Sequence, residues 1–301
     1  MPVNMISRHG IGDALLPVAR AWIRYAPGTV LKYFLWRRFS WRPREFRVRT
    51  VFGARMRGCT QDLIQRYIYY FGTWEPNLTA WLAAALGPGD VFVDVGANIG
   101  YYSLLAAPRV GATGAVVAVE ASPLIFEKLV ESIEANRLAN VRTACVAATS
   151  VPGTLRIYHG DRTNLGSSTV IPDRVTAADG GLEVQGAPLR AILTVDELRR
   201  ARVIKIDVEG AELDVLKGLA LERGGYRPDL AIVAEVAPGD EAAVVCDLMA
   251  RCGFHPYILA NDYRPDPYLE RRPVTRPVRL AGQPVHRYDD MVFSQLDAAW
   301  L

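Results

Sequence analysis

The residues best placed to do chemistry in this chain are acids and an amide at glycine turns that follow short apolar runs. Residues 91–95 are apolar apart from Asp94 and enter the turn Gly96-Ala97-Asn98-Ile99-Gly100; a second apolar run, 116–119, ends at Glu120. A third, 203–207, carries Lys205 and Asp207 into Val208-Glu209-Gly210, and a fourth, 230–236, holds Glu235 near its end. Strand, glycine turn and helix, with an acid closing the next strand, is the layout of a nucleoside-cofactor site at the carboxyl edge of a doubly wound sheet. A near-continuously apolar central strand has no use for Lys205 and Asp207 on one face unless they pair or serve a site. The spacing predicts that Lys205 braces Asp207, and that Asp207 and Glu209 belong to a site. Asp207, Glu209, Glu235 and His159 are the candidate bases for taking a proton from an acceptor.

The turn narrows the cofactor. A dinucleotide site needs Gly-x-Gly-x-x-Gly so that bare backbone can close on a pyrophosphate. Here Asn98 occupies the place of the second glycine, which disfavours an NAD-type oxidoreductase. A cofactor without phosphates fits better, and S-adenosylmethionine is one: its amino-acid end can meet exposed N–H groups and its ribose diol needs an acceptor, the role expected of Glu120. Ser122-Pro123 reads as the start of the next helix, with Ser122 as N-cap and proline at the first helical position.

These residues need a frame. The pattern predicts strand 91–95, helix 99–107, strand 115–120, helix 123–136 and strand 141–147, then an insertion with strands at 154–159 and 182–189. Strand 203–207, helix 211–219, strand 230–236 and helix 241–252 follow, with 255–259 and 290–294 as a closing antiparallel pair. Such alternation implies a parallel sheet with right-handed crossovers. Upstream, one or two short helices broken at Pro27-Gly28, strand-like alternation over 46–56, and 62–70 as strand or helix make a basic, aromatic-rich extension over residues 1–70, with the main domain at 71–301.

Composition sets the outer bounds. The chain has 301 residues, half of them hydrophobic, and no apolar run near the ~18 residues that cross a bilayer. No secretory signal is expected at the N-terminus. Cys59, Cys145, Cys246 and Cys252 lack metal-like spacing and read as reduced, mostly buried thiols of a cytoplasmic protein; no resident metal is expected. Residues 1–60 carry twelve Arg/Lys against Asp13 and Glu45, a balance of +10, so the net +3 leaves −7 for the remainder. Interleaved with Trp22, Tyr25, Tyr33, Phe34, Trp36, Phe39 and Trp41, these cations are read first as a solvated helical cap. The rival reading is peripheral membrane association through residues 11–60, at the inner face of the membrane. Nucleic acid is not expected as a partner, and the oligomeric state is open.

Four stretches together resemble one family: Trp74-Glu75-Pro76; 92–103, from Phe92 through Gly96-Ala97-Asn98-Ile99-Gly100 to Ser103; Val119-Glu120-Ala121-Ser122-Pro123; and 204–212, ending Asp207-Val208-Glu209-Gly210-Ala211-Glu212. The chain is similar over residues 70–240 to the FkbM family of S-adenosylmethionine-dependent methyltransferases. The resemblance implies a class I methyltransferase fold (α/β, Rossmann-like) with strand order 3-2-1-4-5-7-6 and an antiparallel last strand. It implies O-methylation of a hydroxyl on a sugar, glycolipid or polyketide-type product, with Asp94, Gly96, Asn98, Gly100 and Glu120 at the cofactor and Ser122 beside them. Two positions depart from the pattern. Ala147-Ala148-Thr149 offers little to hold the adenine amino group, and Ala121 stands where the family usually has proline.

The connection 260–289, with five prolines and six arginines, is too long for an idle loop and is expected to be a lid over the acceptor, helped by 159–181. The alternative to an enzyme is a non-catalytic membrane-surface or interaction protein that keeps the fold.

Overall fold

The computed structural model describes residues 15–158, 181–282, 285, 289–299 and 301. Helices α1 (Leu16–Tyr25) and α2 (Thr29–Phe39) meet at Pro27-Gly28, where Gly28 takes a φ of 83°. They precede an antiparallel hairpin, β1 (Glu45–Arg49) and β2 (Arg55–Cys59). Residues 46–56 are therefore two strands and a turn rather than one strand. The stretch after them is helix α3 (Leu63–Phe71), whose N-cap Asp62 accepts from the Gln65 N–H, and α4 (Pro76–Ala85) follows.

The alternation then runs β3 (Val91–Val95), α5 (Tyr101–Val110), β4 (Ala115–Glu120), α6 (Pro123–Asn136) and β5 (Val141–Cys145). The expected strand 141–147 breaks there: β6 (Ala147–Thr149) leaves the main sheet and pairs with the insertion strands β7 (Gly153–Ile157) and β8 (Leu182–Pro188) in a three-stranded sheet ordered β6-β8-β7. Short helices α7 (Leu189–Ile192) and α8 (Val195–Arg200) follow, the second opened by a Thr194–Glu197 capping box. The rest is β9 (Ala201–Ile206), α9 (Glu212–Leu219), β10 (Ala231–Val236), α10 (Asp240–Arg251), β11 (His255–Leu259), α11 (Pro265–Glu270), β12 (Val278–Arg279) and β13 (Asp289–Ser294).

The main sheet has eight strands in the order β12-β11-β13-β10-β9-β3-β4-β5. Read from β5 back to β11 this is the 3-2-1-4-5-7-6 order with an antiparallel β13; the two-residue β12 is an addition at the edge. The chain thus has the class I methyltransferase fold.

Strand pleating divides the core. Val91, Val93, Val95, Ile204 and Ile206 join one hydrophobic cluster, while Phe92, Val203, Val233 and Val292 join another that also contains Leu16, Ile23, Trp36 and Phe39 of the N-terminal helices. The same two-residue period puts Asp94, Lys205, Asp207, Glu235 and Asp290 on the face of Phe92 and Val233, toward the carboxyl edge. Lys205 sits opposite both Asp94 and Val233, and Glu235 opposite Asp290. All four cysteines are free thiols, but none is buried: Cys145 is exposed, since β5 is the edge strand of the main sheet, and the others are half-buried on β2 and at α10. No helix among the described residues is long and apolar enough to cross a membrane.

Candidate active site

The turn after β3 is built by backbone geometry. Gly96 (φ 75°) and Asn98 (φ 51°) are both left-handed, the region that glycine enters freely and asparagine tolerates best. The N–H groups of Gly96 and Ala97 both donate to Val119 O. A Cβ on Gly96 would lie 1.8 Å from Asp207 O, so the turn after β3 rests directly on the backbone leaving β9. Gly100 (φ 90°) lets α5 start against Leu129 of α6.

Glu120 is buried at the end of β4 and ties two turns together: Oε2 accepts from the Asn98 N–H and Oε1 from the Ser122 N–H, both at 2.9 Å. Burial pushes its carboxyl up to about 7, against the two N–H groups that favour the charged form. Ser122 is the N-cap residue of α6, with Pro123 following, yet its hydroxyl makes no cap bond and is buried without a partner. The turn after β9 is held by Glu212, whose carboxylate accepts from the N–H groups of Val208 and Gly210 and leaves Glu209 at a φ of 54°.

These turns enclose a cavity of ≈300 Å³. Val119, Ala121, Ala147, Leu155 and Ile157 supply apolar wall, and Gly96, Asn98, Glu120, Asp207, Glu209 and Asp214 the polar part. No Arg or Lys among the described residues lines it. Of the sequence-predicted cofactor residues, Gly96, Asn98 and Glu120 line this cavity. Asp94, Gly100 and Ser122 stand behind it. Asp94 is fully buried, accepts from the Ser103 hydroxyl at 2.6 Å, and leaves Oδ1 unpartnered beside Lys205.

Asp207 and Glu209 line the cavity, and the predicted brace is present: Lys205 Nζ donates to Asp207 Oδ2 at 2.9 Å. Burial alone would depress Lys205, but Asp207, Asp94 and Glu75 outweigh it and hold the ammonium above the usual lysine range. Glu235 belongs to an adjoining cluster of acids. Tyr263 Oη lies 2.8 Å from Glu235 Oε1 and 2.9 Å from Glu75 Oε1; Asn261 Nδ2 donates to Glu75 Oε1 at 2.9 Å and reaches Asp290 Oδ2 at 3.4 Å. Tyr102 donates to the other oxygen of Glu75. Burial first, then Asp207 and Glu75, push Glu235 up to about 8; burial and the neighbouring acids also raise Glu75 and Asp290. His159 lies outside the described residues.

Glu75, Asn261, Tyr263 and Asp290 were not singled out by sequence reasoning. Glu75 sits within Trp74-Glu75-Pro76, where a φ of 39° marks it as a strained non-glycine residue, and Trp74 stacks on Tyr263 with ring centroids 5.2 Å apart. Asn261 and Tyr263 open the expected lid. That connection is anchored beyond them: Tyr268 and Leu269 of α11 are buried, and β12 pairs with β11. The 159–180 part of the expected lid is outside the described residues. No group of three or more His, Cys, Asp and Glu among the described residues is arranged to hold a metal.

The strand order, the glycine turn after β3 and the acid closing β4 define a class I methyltransferase. More particularly, residues 94–256 match the methyltransferase FkbM domain, and the chain belongs to that family. It is 28% identical over 195 residues to Methyltransferase 1 of Beauveria bassiana (strain ARSEF 2860), spanning 59% of this chain and 78% of that one. It is 26% identical over 171 residues to hexuronic acid methyltransferase AglP of Haloferax volcanii, spanning 54% of this chain and 62% of AglP. The solved methyltransferase FkbM of Methylobacillus flagellatus KT overlays with a TM-score of 0.42 at 11% identity, over 94% of this chain and 59% of that one.

S-adenosylmethionine is the cofactor that goes with this family and fold, and the residues present fit it. A cavity with several carboxylates and, among the described residues, no cationic side chain suits a ligand carrying sulfonium and ammonium charge and disfavours a pyrophosphate. Glu120, already accepting one N–H on each oxygen, keeps lone pairs for a diol.

Proposed function

We propose that the protein is an O-methyltransferase acting on a hydroxyl of a sugar, glycolipid or polyketide-type product. The observation that carries this reading is the acid cluster Glu235–Tyr263–Glu75 beside an acid-lined cavity, where a hydroxyl's proton can be received. S-adenosylmethionine, when bound, supplies an electrophilic methyl group on a sulfonium. Gly96, Asn98 and Glu120 would hold it, Glu120 through the ribose diol, and Asp214, which lines the same cavity as Ala147–Thr149, would be the acid available to the adenine.

Glu235 is the base. A carboxylate raised to about 8 holds a proton far better than an ordinary glutamate, which is what deprotonating a hydroxyl during methyl transfer needs. Tyr263 Oη can donate to only one carboxylate at a time, so a proton received at Glu235 is shared with Glu75 through it. Asp207 and Glu209 hold the acceptor at the carboxyl edge. A carboxylate acceptor would enter against Asp207, Glu235 and Glu75, which favours a neutral hydroxyl. The similarity to a hexuronic acid methyltransferase supports a sugar as acceptor.

Calorimetric titration with S-adenosylhomocysteine and with NAD tests the cofactor half; preference for NAD overturns it. Incubation with S-adenosylmethionine and uronic acid glycosides, read by mass spectrometry, tests the other half. A gain of one CH₂ at a hydroxyl is expected, and methyl esters alone would refute the O-methyl assignment.

A further inference from the structure

Helix α1 is apolar on two sides. Leu16, Ala19 and Ile23 pack into the core, whereas Leu15, Val18, Trp22 and Tyr25, spaced three or four residues apart, form an outward stripe 44–66% exposed. Helix α2 repeats the pattern, with Trp36 and Phe39 inside and Val30, Leu31 and Phe34 outside, followed by Trp41 at 72% exposure. Of the eighteen exposed large hydrophobic residues among those described, nine fall within residues 15–41, including every exposed aromatic. Scattered exposed apolar residues need no explanation; a continuous two-helix face of them does.

We infer that this face docks the protein on an anionic phospholipid surface, lying in the interface rather than crossing the bilayer. Charge complementarity selects the partner. The face is rimmed by Arg20, Arg24, Arg37, Arg38, Arg42 and Arg47, and the last four form no ion pair among the described residues. Arg24 stands over the Tyr25 ring at 5.3 Å and Arg37 over Tyr33 at 6.0 Å, so ring and guanidinium are presented together, as the headgroup region rewards. The surface continues into an open groove of ≈1220 Å³ where Arg49, Arg55 and Arg57 of the hairpin, with Lys128 and Arg137 at α6, outnumber Glu45, Glu131 and Glu134. An amphipathic face with a cationic border is the design of an interfacial anchor. A nucleic acid would reward the arginines but leave Val18, Val30 and Leu31 in water. A second copy would bring two strongly basic faces together.

The inference is independent of the methyl-transfer reading, and co-sedimentation of the full chain with vesicles tests it. Binding is expected to vesicles of phosphatidylcholine with about one-third phosphatidylglycerol, not to phosphatidylcholine alone, and to fall as salt screens the arginines. The double variant Trp22→Ser/Phe34→Ser and the charge variant Arg37→Glu/Arg38→Glu should each bind about tenfold or more weakly, while S-adenosylhomocysteine affinity, which reports the fold, is unchanged. The inference is overturned if the wild type stays in the supernatant with anionic vesicles, or if both variants pellet as it does. It is also overturned by a concentration-dependent dimer that the Trp22/Phe34 variant dissolves while the wild type ignores vesicles.

Discussion

Two buried acids, Glu75 and Asp290, and the half-buried Glu235 converge on one tyrosine hydroxyl and one amide, and groups so close in a low-dielectric site do not all ionise near neutral pH. Tyr263, raised far above an ordinary tyrosine by burial and then by Glu75 and Glu235, keeps its proton and bridges them. Two consequences follow for catalysis. With Glu235 as the proposed base, the rate should climb as pH rises through about 8, since a base accepts a proton only when deprotonated. Glu235→Gln should lower kcat about a hundredfold or more and remove that climb, with S-adenosylhomocysteine affinity preserved; stopped-time assays across the pH range together with calorimetry check both. A variant with intact kcat and the same pH profile assigns the base elsewhere. Asp207, Glu209 and Glu235 were legible in the sequence because an acid near the end of an apolar run is conspicuous. Glu75, Asn261 and Tyr263 were not, since segments almost two hundred positions apart meet only through folding.

At the scale of elements, two turns carry the site and each is set by the other. Gly96 has a left-handed φ and no room for a side chain, with Asp207 O where a Cβ would go. Gly96→Ala therefore has to push the turn after β3 away from the turn after β9, at a cost of about 2–4 kcal/mol from overlap and backbone strain together. A lower melting temperature and loss of S-adenosylhomocysteine binding are expected; a variant that melts and binds like the parent would show that the two turns do not depend on their contact. Periodicity located the parallel strands and most of their helices correctly because each is a self-contained apolar run bounded by turn residues. It could not place the break after Cys145, where β6 departs to pair with β8: an apolar stretch says nothing about which sheet it joins. It also ran 46–56 together as one strand, although Thr50 O–Gly53 N and the pair Thr50–Ala54 close a hairpin turn there.

The whole molecule inherits a pH dependence from this arrangement. Glu235 and Glu120 are held above the ordinary glutamate value of 4.5, at about 8 and about 7, chiefly by burial, and Glu75, Asp94, Asp290 and Glu212 are raised as well. The folded state thus binds protons that the unfolded chain has already released. For Glu235 and Glu120 that contribution to stability is complete below about 4.5, declines as pH rises, and is gone once they ionise near 8 and 7; the other raised acids act in the same direction. Lys205 acts in the same direction but only in alkali, since its ammonium is held above 10.5. The lowered acids Asp229, Glu197 and Asp262 are held by arginines and lose their contribution only as pH falls below their usual range. Between pH 5 and 9 the raised carboxyls dominate, so the melting temperature of the ligand-free protein should drop by about 5 °C or more across that window. Glu235→Gln, which stays neutral throughout, should flatten the drop. A melting temperature that is constant or rises between pH 5 and 9 would mean that the acid cluster ionises without penalty. Glu235 would then be an ordinary carboxylate rather than a base stored by burial. With Glu235 as the proposed base, stability falls while the unfolded chain has released a proton that folded Glu235 still holds and levels off near 8, so the end of the stability decline and the midpoint of the rate climb should coincide.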